Sequence, residues 1–397
     1  MKAGWETKTL GEACRFIDYR GKTPEKTSHG LRLITAKNVK MGHIQREPLE
    51  YVNPETYANW MTRGIPKRGD ILFTTEAPLA NVAQLDTDEM VVFAQRIIIL
   101  QPNGSALNRT FLKYLLLSDA AQDGIRNLGT GATVQGIKAS LLKAIEISFP
   151  PLPEQHRIVT ILDAAFDHIA TAKANCEANL RNARAIFESH LQAVFTQRGD
   201  GWVEKHLKEV CEKITDGTHQ TPTYYDEGVI FLSSRNVTSG KINWEKIKYI
   251  DTKQHLEMHK RLAPRLNDVL LAKNGTTGVA AIVDRDVVFD IYVSLALLRA
   301  KEVILPTLLL YFVNSPVAKA QFNKRLKGVG VPNLHLEEIR EVIISFPKSI
   351  NEQKVIVSKL DALSAETQRL ESLYQRKLQA LGDLKKSLLH QAFSGVL

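Results

Sequence analysis

Residues 147–164 read ISFPPLPEQHRIVTILDA, and residues 344–362 read ISFPKSINEQKVIVSKLDA. The two stretches share Ile-Ser-Phe-Pro, then Glu-Gln, then Leu-Asp-Ala, with one residue inserted in the second copy. After Pro153 and after Asn351 the chain turns helical. Apolar residues recur largely on a 3-4 spacing, as Ile158, Leu162, Ala165, Ile169, Ala172, Cys176, Ala183, Ile186 and His190 in the first copy. The second copy has Ile356, Leu360, Leu363, Leu370, Tyr374, Leu381, Leu384 and Leu388. No Gly or Pro interrupts the first run before Gly199, and only Gly382 interrupts the second. From Glu154 to Thr196 a helix would be a rod of roughly 65 Å at 1.5 Å per residue. Ordinary globular helices rarely exceed ~25 residues, so the spacing predicts two coiled-coil helices.

Working outward, the whole chain repeats once. At an offset of 197, Gly4, Trp5, Lys8, Leu10, Glu12, Cys14 and Ile17 return as Gly201, Trp202, Lys205, Leu207, Glu209, Cys211 and Ile214. At an offset of 198, GLRLITAKNVKMGHI from Gly30 returns as GVIFLSSRNVTSGKI from Gly228, and Arg63, Pro66, Asp70 and Leu72 return as Arg261, Pro264, Asp268 and Leu270. Ahead of each helix lie short apolar runs such as DILFTT, VVFAQRIIIL and DVLLAK, broken by Gly, Pro and Asn, which is strand-and-turn chemistry with a helix or two. The order is globule, helix, globule, helix. If the helices pair along their apolar seams, they must be antiparallel and return Leu397 to the neighbourhood of Met1. The expected fold class is α+β: two α/β globules joined by two long antiparallel coiled-coil helices with a pseudo-two-fold internal repeat. The domain limits are 1–152, 153–199 (helical), 200–350 and 351–397 (helical).

The 397 residues carry 44% hydrophobic and 24% charged side chains, a globular profile. No run approaches the ~18 apolar residues of a membrane span and no apolar core follows Lys2, so the reading is cytoplasmic with no membrane partner. Three cysteines, Cys14, Cys176 and Cys211, are too few for a disulfide framework and read as small buried side chains. A net charge of +9, with pI near 9.3, suits a polyanionic partner. Two similar globules held apart suggest a ruler, and duplex DNA is a natural target, since dimeric readers contact half-sites about 34 Å apart.

This architecture, with FPPLPEQHRIVTILDAAF, FPKSINEQKVIVSKLDALSAE and the terminal LLHQAFSGVL, resembles the specificity (S) subunit of type I restriction-modification enzymes over essentially the whole chain. The resemblance implies two target recognition domains, each binding one half of a bipartite double-stranded DNA sequence. It implies helical regions that fix the spacer and dock two methyltransferase subunits, with two restriction subunits joining to give the nuclease and translocase. Docking then falls on Pro153, Glu154, Gln155 and Arg157 and on Glu352 and Gln353. S-adenosylmethionine, ATP and Mg2+ are expected on the partner subunits and none on this chain. The rival reading is a structural coiled-coil adaptor linking two protein-binding domains.

Catalytic motifs are missing, so the chain reads as non-catalytic. The only Pro-Pro, Pro150-Pro151, follows Phe149, unlike the Asn/Asp-Pro-Pro-aromatic loop of an amino methyltransferase. Gly21-Lys22-Thr23 has Phe16 where a P-loop needs its first glycine. His255 and His259 stand at i and i+4, a spacing that can grip zinc on a helix, but no third ligand is evident and the counterpart Tyr57 to Met61 has no His. The pair reads as a solvated helix face, and no metal is expected. Asp284 and Asp286 read as turn formers.

Base readout needs donors on loops that reach a groove, with Lys and Arg on the rim for phosphates. Three matched pairs of loops supply them. Arg20, Lys22 and Thr23 pair with His219 and Gln220; Thr74 and Thr75 pair with Lys273, Asn274, Thr276 and Thr277; Arg126 to Gln135 pairs with Arg325, Lys327 and Asn333. Glycines there let backbone N–H groups approach phosphate. Asn38, Asn236, Asp70 and Asp268 are repeated and read as turns and caps, so specificity belongs where the halves differ.

Overall fold

The computed structural model describes residues 4–21, 23–94, 96–131, 133–238, 240–275, 277–325 and 333–397. It separates into two compact units, Met1–Cys176 with Arg376–Leu397, and Glu177–Gln375.

In the first unit the strand Ile97–Pro102 lies between Cys14–Asp18 and Ile71–Thr74, with Val82–Gln84 beyond, all antiparallel. A second sheet centres on Leu31–Ile34, antiparallel to Glu50–Val52 and parallel to Val91–Phe93. The unbroken apolar run in IIIL has a physical reason. Side chains alternate across a strand. Ile98 and Leu100 enter one core with the helix Arg109–Leu117, whereas Ile97 and Ile99 enter the other core with Leu33, Val92 and Phe93. Both faces are buried, so neither position can be polar.

The second unit repeats this plan. Leu295–Ala300 lies between Cys211–Asp216 and Val269–Ala272, with Ala280–Ile282 outside. Val229–Leu232 pairs antiparallel with Lys248–Ile250 and parallel with Phe289–Ile291. Ala296 and Leu298 face one core, Leu295 and Leu297 the other.

The repeated polar residues hold turns, as expected. Asn38 Oδ1 accepts from Thr35 N (3.1 Å) while its amide donates to Gln45 O and Pro48 O; Asn236 does the same with Ser233, Asn243 and Lys246. Asp70 accepts from Lys67 N, and Asp268 from Arg265 N. Gly30 and Gly228 sit at φ +131° and +137°, and a Cβ on either would meet a backbone oxygen at 2.3 or 2.4 Å, so only glycine fits.

Two long helices, Leu152–Thr196 and Ile350–Ser394, each contribute a segment to both units. In the first unit Ile158 and Leu162 share a core with Leu389 and Ala392. Arg157 donates to Leu397 O at 2.7 Å, and Lys385 lies over the Phe166 ring at 5.0 Å. As the first number rises the second falls, so the segments run antiparallel. In the second unit Arg184 pairs with Glu371 at 3.0 Å, and Leu191 and Phe195 share a core with Leu360. The last turn of the chain lies with Trp5 in the first core, where Phe111 stacks edge-on against Phe393 at 5.3 Å. Phe312 and Phe195 reproduce that contact in the second unit, also at 5.3 Å.

The seam is narrower than the spacing predicts. Ile186 is 61% exposed and Leu384 47% exposed, while Ala183, Leu191 and Val194 are buried. A 3-4 pattern held for forty residues drifts around a straight helix, so its outer members leave the contact line. Among the described residues, no helix is long and apolar enough to cross a membrane. Burial pushes the Cys14 and Cys211 thiols up to about 12, as suits inert core cysteines, whereas Cys176 is only half-buried.

Candidate nucleic-acid interface

In the first unit the three predicted loops converge. Ile137 N donates to Thr75 O at 2.9 Å, Glu76 bridges Gly136, and Thr130 bridges Gly136. Beside them stand Arg20 and Gly21, and the loops enclose an open cleft of about 490 Å³ lined also by Arg96, Val134 and Lys138. Arg20 is held in place by Asp18, donating from Nε (2.8 Å) and Nη2 (2.6 Å). Burial opposes ionisation of Asp18, but the hydrogen bonds and charge of Arg20 outweigh it and keep that carboxyl below the ordinary range. Glu76 pairs with Arg96 at 3.0 Å, and Arg96 adopts φ +66°. Lys138, Gln135 and Thr23 are exposed. Arg126 is exposed too, reaching Gln122 (3.1 Å) and Asp123 (3.4 Å).

The second unit brings its loops together by the same bonds. Leu334 N donates to Lys273 O at 3.0 Å, and Asn274 bridges Asn333. Val293 N donates to Thr218 O at 2.9 Å, which ties in the loop carrying His219 and Gln220. Gly217 lies so close to its neighbour strand that a Cβ would meet Ile291 O at 1.8 Å. The side-chain oxygens of Asn274 and Asn333 are buried with no hydrogen-bond partner among the described residues. Thr277 Oγ1 donates to Lys273 O at 3.4 Å. His219 and Gln220 are exposed at the loop tip.

Several expected readers are corrected. Thr74 is fully buried and donates to Pro78 O at 2.6 Å; Thr75 is 3% exposed and donates to Arg96 O. Neither side chain can reach a base, and both hold loop shape. Lys273 is 5% exposed and pairs with Asp216 at 2.8 Å. Asp216 also takes Arg261 (3.1 Å) and His219 (3.3 Å). Burial opposes that carboxylate, yet hydrogen bonding and charge from Lys273, then His219, hold it below the ordinary range. Arg325 donates to Gln321 O and towards Glu341 O, so its guanidinium is turned to its own backbone. Lys22, Thr276 and Lys327 lie outside the described residues. Arg96 and Lys138, which also line the cleft, fall outside the loops that the sequence comparison of the halves picks out.

At the helix starts the expected docking residues divide. Pro153, Arg157 and Glu352 are exposed and Glu154 half-exposed; Arg157 pairs with Glu154 at 2.7 Å, and Glu352 accepts from Trp202 Nε1 at 3.3 Å. Gln155 and Gln353 are corrected, since both are fully buried. Gln155 accepts from Asn108 N (2.8 Å) and donates to Ala106 O (2.8 Å) and Pro150 O (2.7 Å). Gln353 accepts from Leu305 N (2.8 Å) and donates to Val303 O and Pro347 O, both at 2.9 Å. A side chain with all its groups engaged inside its own unit offers nothing to a partner. About two turns further on, Tyr114 donates to Asp163, and Tyr311 to Asp361, fastening each helix a second time.

Comparison with known proteins agrees with this layout. Residues 2–179 and 199–379 match a family model described as type I restriction modification DNA specificity domain. The type I restriction enzyme EcoBI specificity subunit of Escherichia coli is 22% identical over 335 residues, covering 78% of this chain and 70% of its own. The MjaVIII specificity subunit of Methanocaldococcus jannaschii is 21% identical over 98% of this chain and 92% of its own. Among solved structures, a chain from work on complex assembly and conformational transition of the type I system is similar with a TM-score of 0.76. It is 21% identical, covering 99% of this chain and 98% of that one. The HsdS subunit from Thermoanaerobacter tengcongensis gives 0.59 at 21% identity, covering 100% and 98%.

Proposed function

The chain belongs to the type I restriction-modification DNA specificity family, and from that membership we propose that each unit reads one half of a bipartite, asymmetric double-stranded DNA target. The observation that carries this reading is the double convergence of loops. Each unit gathers the same three loops, two of them joined through matching backbone bonds, yet fills them with different side chains. A shared frame with unlike tips is what two readers of unlike half-sites need.

In the first unit Arg20, Arg96 and Lys138 supply cationic donors, and Gln135 and Thr23 supply neutral ones. In the second unit His219 and Gln220 stand foremost. The long helices set the spacer and dock two methyltransferase subunits, through the exposed Pro153, Glu154, Arg157 and Glu352 and through outward apolar residues such as Ile186. Two restriction subunits complete the assembly. The chain itself performs no chemistry; S-adenosylmethionine serves the methyltransferase partners, and ATP with Mg2+ serves the restriction partners. Adenine methylation and cleavage are thereby directed, and the complex works in the cytoplasm.

The test is co-expression with the neighbouring methyltransferase subunit in a methylation-free host, followed by mapping of modified adenines. The expected motif has two short specified blocks, a fixed unspecified gap, and one methyladenine per block on opposite strands. A single-block motif overturns the two-reader reading. A soluble assembled complex that modifies nothing favours the adaptor.

A further inference from the structure

The second unit holds a cluster that DNA reading leaves unused. Thr252–Arg261 is helical and is started by Asp251, whose carboxylate accepts from Gln254 N at 2.7 Å. His255 and His259 lie one turn apart on it, with ring centroids 4.6 Å apart. Both face Asp290 in the strand Phe289–Ile291. His255 Nδ1 is 2.7 Å from Asp290 Oδ2, and His259 Nδ1 is 3.3 Å from Oδ1. Asp290 is 1% exposed, and the two imidazole side chains are 14% and 31% exposed. The third ligand that the sequence hides thus comes from a strand 31 residues beyond His259.

The first unit serves as an internal control. At the equivalent places it carries Tyr57, Met61 and Val92. Met61 and Val92 are buried in its core and Tyr57 packs against them. The fold therefore asks only for apolar packing here. The second unit instead buries a carboxylate with the two imidazoles within hydrogen-bonding distance of its oxygens. Burying that charge is costly, and fold alone does not require it.

We propose that His255, His259 and Asp290 form a binding site for a divalent transition-metal ion of the zinc class. Two imidazole nitrogens and one carboxylate oxygen make a donor set suited to zinc and its neighbours cobalt and nickel. Their ligand atoms all lie within 4.8 Å of one another. Metal–ligand bonds of about 2.0–2.2 Å in a tetrahedron separate the ligands by roughly 3.4 Å. The His259 Nδ1–Asp290 Oδ1 separation is already there, and the His255 Nδ1–Asp290 Oδ2 gap opens by about 0.7 Å when the ion replaces the bridging hydrogen. A carboxylate only accepts, so each Nδ1 carries its hydrogen before the ion enters, and that hydrogen moves to Nε2 in the ligating tautomer. Asp290 also borders a cleft of about 160 Å³ lined by Gly217, Thr218, Gln220 and Glu257, from which water completes the coordination. The role is structural. Ile291, next to Asp290, accepts from Thr218 N at 3.0 Å, so the ion bolts the helix to the strand on which the Gly217–Gln220 loop rests.

The test needs no DNA, so its result is independent of the function proposed above. Full-length chain, stripped with chelator and dialysed, is titrated with zinc chloride by calorimetry, and with cobalt(II) in the visible range. One equivalent of zinc is expected, with a rise in melting temperature and a cobalt d–d band. D290V, which copies the first unit's residue, should keep its circular dichroism and weaken zinc binding by more than roughly 100-fold. H259N retains a donor to Asp290 and carries the same expectation should D290V unfold. Wild-type binding no tighter than the folded variant's, or no stoichiometric uptake at all, overturns the site.

Discussion

Replacing Gln155 by alanine should unfasten the first long helix from its unit. The Gln155 amide makes three hydrogen bonds of 2.7–2.8 Å while fully buried. Its loss strands the Asn108 N–H and the Ala106 and Pro150 carbonyls. A stranded buried group costs about 1–3 kcal/mol, with the carbonyls at the low end because each keeps a second lone pair, so the total is about 3 kcal/mol. In a unit of roughly 200 residues each kcal/mol moves the melting temperature by about 2–4 °C, so the shift should be about 6–12 °C. Urea denaturation at constant m and scanning calorimetry read it. Q155E sharpens the argument. Its carboxylate can still accept from Asn108 but turns a negative oxygen towards two carbonyls, which raises the folded-state pKa above the unfolded value of about 4.3. A raised carboxyl pKa means stability that is present at pH below about 4 and lost as pH climbs through the folded value. The Q155E deficit should therefore be larger at pH 7 than at pH 5. A Q155A cost below about 1 kcal/mol, or a Q155E deficit independent of pH, refutes the bolt. E154A, at an exposed pair, should stay within about 0.5 kcal/mol of wild type.

K273T, which installs the residue of the first unit, should cost the second unit about 3 kcal/mol by leaving Asp216 buried with weaker partners. Because the Asp216 carboxyl is held low, its contribution is present above the unfolded pKa of about 3.9 and lost as pH falls through the folded value; acid titration of D216N should lack that limb. In the assembled methyltransferase complex, K138A should weaken DNA binding alike for all sequences and reduce the salt slope by about 0.9, whereas Q135A should relax preference at one base position by about 1–3 kcal/mol. I186E should leave stability within about 0.5 kcal/mol and lower co-purification with the methyltransferase subunit.

The repeat and the two helices were legible because they depend on chain-local spacing, which survives without knowledge of the fold. The IIIL run reads as a strand for the same reason, and its burial on both faces follows from having no polar position. What failed was burial of polar residues. Glu-Gln at a helix start reads as solvent-facing, and only the 106–108 segment folding over it reveals that Gln155 is inside. Lys273 looks like a phosphate contact until Asp216, 57 positions away, is found beneath it. Arg96 and Lys138, which line the same cleft, escaped because comparing the halves finds only what the halves share. The His255–His259 pair was set aside for want of a partner that only the parallel pairing of Phe289–Ile291 with Val229–Leu232 brings near.

The second unit is a single continuous stretch of chain, Glu177–Gln375, whereas the first is closed by Arg376–Leu397. During synthesis the unit begun first is therefore closed only after the second has been made, since Leu389 and Phe393 follow Gln375 in the chain. Until then Phe111 and Trp5 lack the residues that cover them. A chain cut after Gln375 would hold a complete second unit and an open first core, with its apolar side chains exposed to water. The arrangement makes the closing of the first unit wait on the second.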